Sequence, residues 1–452
     1  MPASTQTPTH TPTPTQPFSE LSIQLTEKLS KDEKKNGGIF FTPPSCIQGI
    51  VALLRKSVSK RIHRILEPSC GSGEFITAMA AEYPDANITG IEFHPLIYES
   101  VSKKFATNKS ITIHHADFLS DAAITTSAAG APPDLIIGNP PYFVMKKDAV
   151  PKAYYPYFDG RPNIFSLFII KSAELLQDGG ILCFVLPSSF MNSSYYDKTR
   201  KYLVSHFTIL HVVRCESLCE SVKYIDTAQD TIVLIVQKGL SSGSGSESST
   251  GCVFEKHGMT ILSDNVPRLV RLYSGSKSLA ELHFDVHVGT VVWNQCKPTL
   301  TDDSSKTRLI YSSNIENAAF VHKTYKNPEK KAFIDKPGIR APMLVLNRGY
   351  GVGEYQFDYC LITPEIVGSD AFLVENHLIC ITTTSSDSES AEAATATATA
   401  SDTTAAARFQ RIIRSFRDPR TKEFIECYFG NSAINTTELN HLLPIYDYDY
   451  EI

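Results

Sequence analysis

The 452-residue chain predicts a doubly wound α/β sheet followed by a second unit of mixed α+β pattern. Three observations carry that reading. Apolar strand-like runs alternate with helical periodicities from Arg61 to Gln237, the mark of parallel strands joined by helices. The stretch SSGSGSESST at 241–250 then interrupts the pattern as a flexible linker. The remaining length suits two cores, at roughly 150 residues per domain.

The elements follow in order. Residues 1–18 are rich in Pro, Thr, Ser and Gln and lack both the basic start and the apolar middle of a signal peptide, so they read as a disordered tail. Residues 19–240 form the first domain. Arg61–Leu66 reads as a strand, Glu74–Glu82 as a helix, Asn87–Phe93 as a strand, Leu96–Phe105 as a helix and Ile111–His115 as a strand. Leu135–Ile137 is a buried run entering a proline turn. Ile164–Leu176 is an amphipathic helix stopped at Gly179-Gly180, and Ile181–Leu186, Ile209–Val213 and Thr231–Gln237 are further strands. Residues 251–452 form the second domain, in which Met343–Leu346 reads as a strand. Inside it, 384–407 is rich in Ser, Ala and Thr and reads as a disordered low-complexity insertion.

Composition excludes several classes. The apolar fraction is 42% and the charged fraction 20%, which rules out a wholly disordered chain, a collagen and a small disulfide scaffold. No run of about 18 apolar residues is present to span a membrane. The formal net charge of -5 argues against a protein that coats nucleic acid non-specifically, so any DNA contact must use a local basic face. The ten cysteines contain no CxxC pair and predict reduced thiols, no metal site, and a cytoplasmic, nuclear or viral-factory compartment rather than secretion.

The strongest chemical signal is Asp134-Leu135-Ile136-Ile137-Gly138-Asn139-Pro140-Pro141-Tyr142. A hydrophobic strand runs into a turn stiffened by two prolines, which fix φ and donate no hydrogen bond. The Asn139 side chain and the Pro140 carbonyl are then available to accept from one planar NH2 group, and Tyr142 can stack on the ring bearing it. An aromatic amine is a poor nucleophile because its lone pair is delocalised. Two acceptors on its hydrogens localise that pair by positioning and polar preorganisation, without a strong base. Read alone, the segment is equally well a proline turn capping a core strand.

The second signal is Leu66-Glu67-Pro68-Ser69-Cys70-Gly71-Ser72-Gly73-Glu74, a strand, a Gly-rich turn and a helix start. It lacks the third glycine of a dinucleotide fingerprint. Glu92 ends the next strand, where a carboxylate suits a ribose diol. Asp117 ends the third, where it suits an exocyclic amine. Acids at successive strand ends point to a pocket at the carboxyl edge of the sheet. Upstream, Asn36–Pro44 is a glycine-to-proline loop able to enter a helix or fold over a bound cofactor.

Taken in order, the segments FFTPP, EPSCGSGEF, GIE, ADF and GNPPY resemble the gamma class of N6-adenine DNA methyltransferases, closely over residues 36–238 and more loosely beyond. The resemblance implies a Rossmann-like S-adenosylmethionine-dependent methyltransferase sheet with a C-terminal target-recognition domain. It implies S-adenosylmethionine as methyl donor, surrounded by Thr42, Glu67, Ser69, Gly71, Glu92, Asp117 and Pro141. Asn139, Pro140 and Tyr142 would hold a flipped adenine of duplex DNA. A separate cognate restriction endonuclease is a possible partner, and a monomer is expected. The sequence departs from the family where a second stacking aromatic, usually Phe, is expected; Tyr224 is the candidate and Leu218 the alternative.

For DNA contact, Lys323, Lys326, Lys330, Lys331 and Lys336 cluster around Tyr325, and Arg348 opens a Gly-rich loop at Gly349–Gly351. Arg408, Arg411, Arg414, Arg417 and Arg420 recur every three residues, either to follow a DNA strand or to solubilise a helix. Two other readings stand beside this one: methylation of a protein glutamine or an RNA base by an NPPY-type enzyme, and a non-catalytic DNA-specificity subunit.

Overall fold

The computed structural model describes residues 18–120, 131–218, 230–240, 251–348, 357–384, 398–429 and 434–446. The tail up to Pro17, the linker 241–250, Tyr224 and Gly349–Gly351 lie outside them. The chain divides into two compact units: Met1–Ser188 with Lys198–Cys252, and Ser189–Asp197 with Val253–Ile452. The segment Ser189–Asp197 therefore goes with the second unit, whereas the sequence assigned it to the first. Its partners explain why: the Ser194 N–H donates to Glu438 at 3.2 Å and the Thr260 N–H to Asp197 at 2.8 Å. No described helix is long and apolar enough to cross a membrane.

The first unit begins with three helices, α1 (Glu20–Lys28), α2 (Lys31–Gly37) and α3 (Pro44–Ser57). Its sheet comprises β1 (Arg64–Glu67), β2 (Asn87–Glu92), β3 (Ile111–His115), β4 (Leu135–Gly138), β5 (Ile181–Pro187), β6 (Phe207–Arg214) and β7 (Thr231–Lys238), in the order β3-β2-β1-β4-β5-β7-β6. β1 to β5 run parallel, and β7 is antiparallel to both its neighbours. α4 (Glu74–Glu82) and α5 (Pro95–Phe105) make the first two crossovers. Helices cover both faces of a parallel sheet, so its central strands are apolar throughout. β5 is buried at every residue, and the helix Ile164–Leu175 that precedes it is buried from Ile164 to Ala173. This is the doubly wound α/β arrangement that the strand–helix alternation led us to expect.

Strand order reverses between β1 and β4, which opens a crevice at their carboxyl ends. Asp134 holds the opposite ends of these strands in register, accepting from the backbone N–H groups of His63 and Arg64 at 2.9 Å each. Burial raises the Asp134 carboxyl, but these N–H donors outweigh it and leave it below its ordinary range.

The second unit holds a four-stranded antiparallel sheet, Phe284–Val288, Leu378–Thr383, Met343–Asn347 and Tyr359–Ile362. A second four-stranded sheet contains Leu300–Thr301, Phe333–Ile334, Thr307–Ile310 and Phe372–Val374. The low-complexity insertion needs correction at its end: residues 398–407 open a helix, Ala398–Phe416. Alanine has high helix propensity, and the helix is anchored further on by Phe409, Ile412, Ile413 and Phe416 in the core. Arg408 donates to the carbonyls of Leu282 and His283 and lies over Phe284, while Arg420 forks onto Asp418 and over Tyr446. These two arginines are occupied in packing the unit.

A small hairpin, Ile315–Glu316 with Ala319–Phe320, turns through Asn317 and Ala318 at φ 52° and 60°. Two left-handed residues match the right-handed strand twist, but alanine bears a steric cost there that asparagine tolerates. The Asp358 carboxylate holds the turn by accepting the N–H groups of Asn317 and Ala318 at 2.9 and 2.8 Å. Ala318→Gly is expected to stabilise the chain by about 0.5–1 kcal/mol in chemical denaturation, the relieved strain exceeding the added freedom of the unfolded chain.

Candidate active site

Four segments meet at the carboxyl edge of the first unit's sheet. The first is the Gly-rich turn after β1. The Cys70 N–H donates to the Ile91 carbonyl at 2.9 Å and the Gly71 N–H to Glu92 Oε2 at 2.9 Å, so the turn is stitched to the end of β2. Gly71 has φ 52°, and a Cβ there would lie 3.2 Å from the Phe41 ring. Gly73 has φ 74°, and a Cβ there would strike the Phe105 ring at 2.5 Å, so this turn requires glycine.

Beneath the turn lie two buried carboxylates. Glu67 is 2% exposed and its Oε2 has no hydrogen-bond partner. Burial pushes this carboxyl well above its usual range and the Glu92 charge adds to the effect, against weaker pulls from the Ile76 N–H and Lys104. Glu92 is also raised by burial, although it accepts from the backbone of Gly71 and, at 2.8 Å, of His94. Phe93 follows it with 72% of its surface exposed, an aromatic face beside the strand end that the sequence reading passed over. Its only sequence signal is an aromatic directly after a strand-end acid. Asp117 closes its own turn, accepting from the Leu119 N–H at 2.9 Å and from the Ser120 hydroxyl.

The third segment is the proline turn after β4. Ser69 Oγ donates to the Asn139 carbonyl at 3.2 Å, joining the ends of β1 and β4. Asn139 Nδ2 donates to the Phe40 carbonyl and to Thr42 Oγ1, each at 3.1 Å. A carbonyl accepts only, so the amino end of this amide must face the Phe40–Thr42 loop and Oδ1 must face the other way. On that side the Tyr142 hydroxyl lies 2.5 Å from Asn139 Oδ1 and 2.8 Å from the Val185 carbonyl. One hydroxyl proton faces two acceptors. When it goes to Val185, Asn139 Oδ1 lacks a donor from Tyr142. No described residue donates to the Pro140 carbonyl. Pro140 is buried and Pro141 half-buried. The Tyr142 ring meets Phe165 edge-on at 6.0 Å.

The fourth segment is the loop Gly38–Pro43, part of the stretch Asn36–Pro44 read as either a helix entry or a loop over a bound cofactor. It does pack Phe41 on the Gly71 turn, but its polar contacts go to the proline turn. Thr42 is buried and bonds Asn139, and Gly38, at φ 60°, lies so close that a Cβ would stand 2.5 Å from the Tyr142 nitrogen. Neither Gly38 nor Val185 is marked by residue type, because both act through backbone. Tyr224 lies outside the described residues. Leu218, the alternative, is half-buried and packs against the core of the sheet, where a Cβ on Gly49 would meet it at 2.8 Å.

In the second unit, two of the five lysines of the expected cluster have carboxylate partners. Lys323 pairs with Glu316 at 2.7 Å and Lys331 with Asp302 at 2.6 Å. Lys330 is enclosed by rings, its Nζ 4.5 Å from Tyr311, 5.3 Å from Trp293 and 5.9 Å from Tyr325. Lys336 donates to Cys296 Sγ at 3.2 Å. Lys326 and Arg348 are exposed.

Residues 80–218 match the family model described as Eco57I restriction-modification methylase. Over 432 residues the chain is 30% identical to the type II methyltransferase M.CvrRI of Paramecium bursaria Chlorella virus XZ-6E, covering 92% of this chain and 96% of that one. It is 32% identical over 192 residues to the modification methylase CviBIII of Paramecium bursaria Chlorella virus NC1A, covering 42% of this chain and 48% of the relative. Among solved structures, the methyltransferase subunit of a type I restriction-modification system from Streptococcus thermophilus aligns at a TM-score of 0.37 and 17% identity, over 52% of this chain and 53% of the other.

The buried carboxylates have a measurable consequence. A carboxyl whose pKa is raised on folding takes up protons more readily than in the unfolded chain. Its effect on stability is therefore least adverse below the ordinary value of 4.5, and stability falls as pH rises from there towards the folded value. Glu67→Gln is expected to flatten that fall and to raise the melting temperature of the ligand-free chain at neutral pH. Melting curves across pH 4–8 that coincide for the two proteins would count against it.

Proposed function

We propose that this chain, which belongs to the type II restriction-modification methyltransferases, methylates the N6 amine of an adenine turned out of duplex DNA. The family makes it a methyltransferase that uses S-adenosylmethionine and acts on DNA in restriction-modification. A separate cognate endonuclease is the partner this reading calls for, and the chain would act as a monomer.

The residues of the first unit suit the cofactor. A Gly-rich turn, an unpartnered buried carboxylate oxygen on Glu67, the Glu92 carboxylate and the exposed Phe93 ring offer a backbone cradle, polar acceptors and a flat face. Glu67, Ser69, Gly71, Glu92, Asp117 and Pro141 would hold it, with Thr42 acting through Asn139 instead. Bound there, the cofactor supplies a methyl group on a positively charged sulfur.

The observation that carries the adenine reading is the pair of acceptors on the proline turn. Asn139 Oδ1 has its direction set from behind by Phe40 and Thr42, and the Pro140 carbonyl takes no hydrogen bond from a described residue. Together they would receive the two N–H groups of an exocyclic amine and draw its nitrogen towards tetrahedral geometry, localising the lone pair for transfer. The Tyr142 hydroxyl turns to Val185 as the amine takes its place on Asn139. The Tyr142 ring would steady the base, with Tyr224 the candidate second face. Extruding the base costs a few kcal/mol, offset by stacking and backbone contacts. The extra proton passes to water.

The test uses labelled S-adenosylmethionine with duplex DNA, followed by digestion to nucleosides. N6-methyladenine is expected; label in N4-methylcytosine, RNA or protein would overturn the reading. Asn139→Ala should lower transfer by at least about a hundredfold while calorimetric cofactor binding persists. Thr42→Val should slow transfer by about tenfold, one neutral hydrogen bond's worth, and Thr42→Ser should restore it.

A further inference from the structure

Arg308 lies on the strand Thr307–Ile310 in the second unit and is 5% exposed. Phe333 is its cross-strand partner, with the ring centroid 5.0 Å from the guanidinium carbon, and Phe320 of the small hairpin lies 5.6 Å away. Among the described residues its side chain makes no ion pair and no hydrogen bond, and Nε is sealed from solvent without a partner. Burial pulls its pKa below the ordinary guanidinium value, against a weaker opposite pull from Tyr325.

Four lysines nearby in sequence are treated differently. Lys323 has Glu316, Lys331 has Asp302, Lys306 has Asp335 and Lys297 has Glu329, all at 2.6–2.9 Å. Carboxylates thus pair these four lysines, while among the described residues the buried arginine is left without a counter-charge. A cation removed from water without a counter-charge is unfavourable, and two aromatic rings offset only part of that. Arginine is also the cation whose planar fork matches a pair of anionic oxygens. A base edge carries no net charge and would leave the ion uncompensated; a phosphate would not.

We infer that Arg308 is a docking point for one backbone phosphate of the DNA, seated between Phe320 and Phe333. The inference rests on the reading of DNA as substrate and adds a contact that the residue pattern did not reveal.

The full-length chain is titrated by fluorescence anisotropy against two labelled duplexes, one carrying the methylated site and one scrambled, between about 50 and 200 mM salt. Arg308→Met should reduce the slope of log affinity against log salt by about one unit, equally for both duplexes, while Arg308→Lys keeps most of it. Without DNA, Arg308→Met should melt no lower than the wild type, because an unpaired buried ion has been replaced by an apolar chain of similar length. An unchanged slope overturns the inference. So does a loss confined to the methylated site, which would assign the residue to a base edge, and so does a lowered melting temperature, which would make it structural. If the wild type binds neither duplex, the proposed function falls first and Arg308 with it.

Discussion

The orientation of a single amide governs the candidate site. Asn139 can present an oxygen to an incoming amine only if its nitrogen is held elsewhere, and the Phe40 carbonyl and Thr42 hydroxyl hold it. That in turn needs the Gly38–Pro43 loop against the proline turn, which Gly38 permits by having no side chain where the Tyr142 backbone passes. The turn itself is placed by β4, whose last residue, Gly138, pairs with Phe184 of the fully buried β5. Core packing, loop contact and amide direction are therefore one chain of causes.

Electrostatics complete the arrangement. Glu67 and Glu92 are buried beside each other at the ends of β1 and β2, a placement that works against folding above the ordinary carboxyl range. Backbone N–H groups compensate Glu92 but leave one oxygen of Glu67 without a partner. Strain of this kind is kept where a ligand relieves it. Arg308 repeats the principle with the opposite sign in the other unit, a cation held among rings with no internal carboxylate. Each unit thus keeps a buried ionisable side chain with a polar atom that no described residue satisfies.

The chain of strands and helices from Arg64 to Lys238, the Gly-rich turn and the proline turn were legible in the sequence because each is local. Period, glycine and proline act within a few residues. The ends of elements were less so: the strand read as Arg61–Leu66 is Arg64–Glu67, and residues 398–407 take up a helix because residues further on bury its apolar face.

By itself, the sequence determined that strand-end acids and an Asn-Pro-Pro-Tyr turn would gather at one edge of a parallel sheet, because direction and order of strands follow from the connections between them. Only the tertiary structure decided what each group faces. It tied Thr42 to Asn139 rather than to open space, gave Lys323 and Lys331 carboxylate partners, set Leu218 against the core, and left Arg308 buried without a carboxylate. The physical reason is that hydrogen bonding, burial and ion pairing depend on neighbours distant in the chain, and residue type alone carries no record of them.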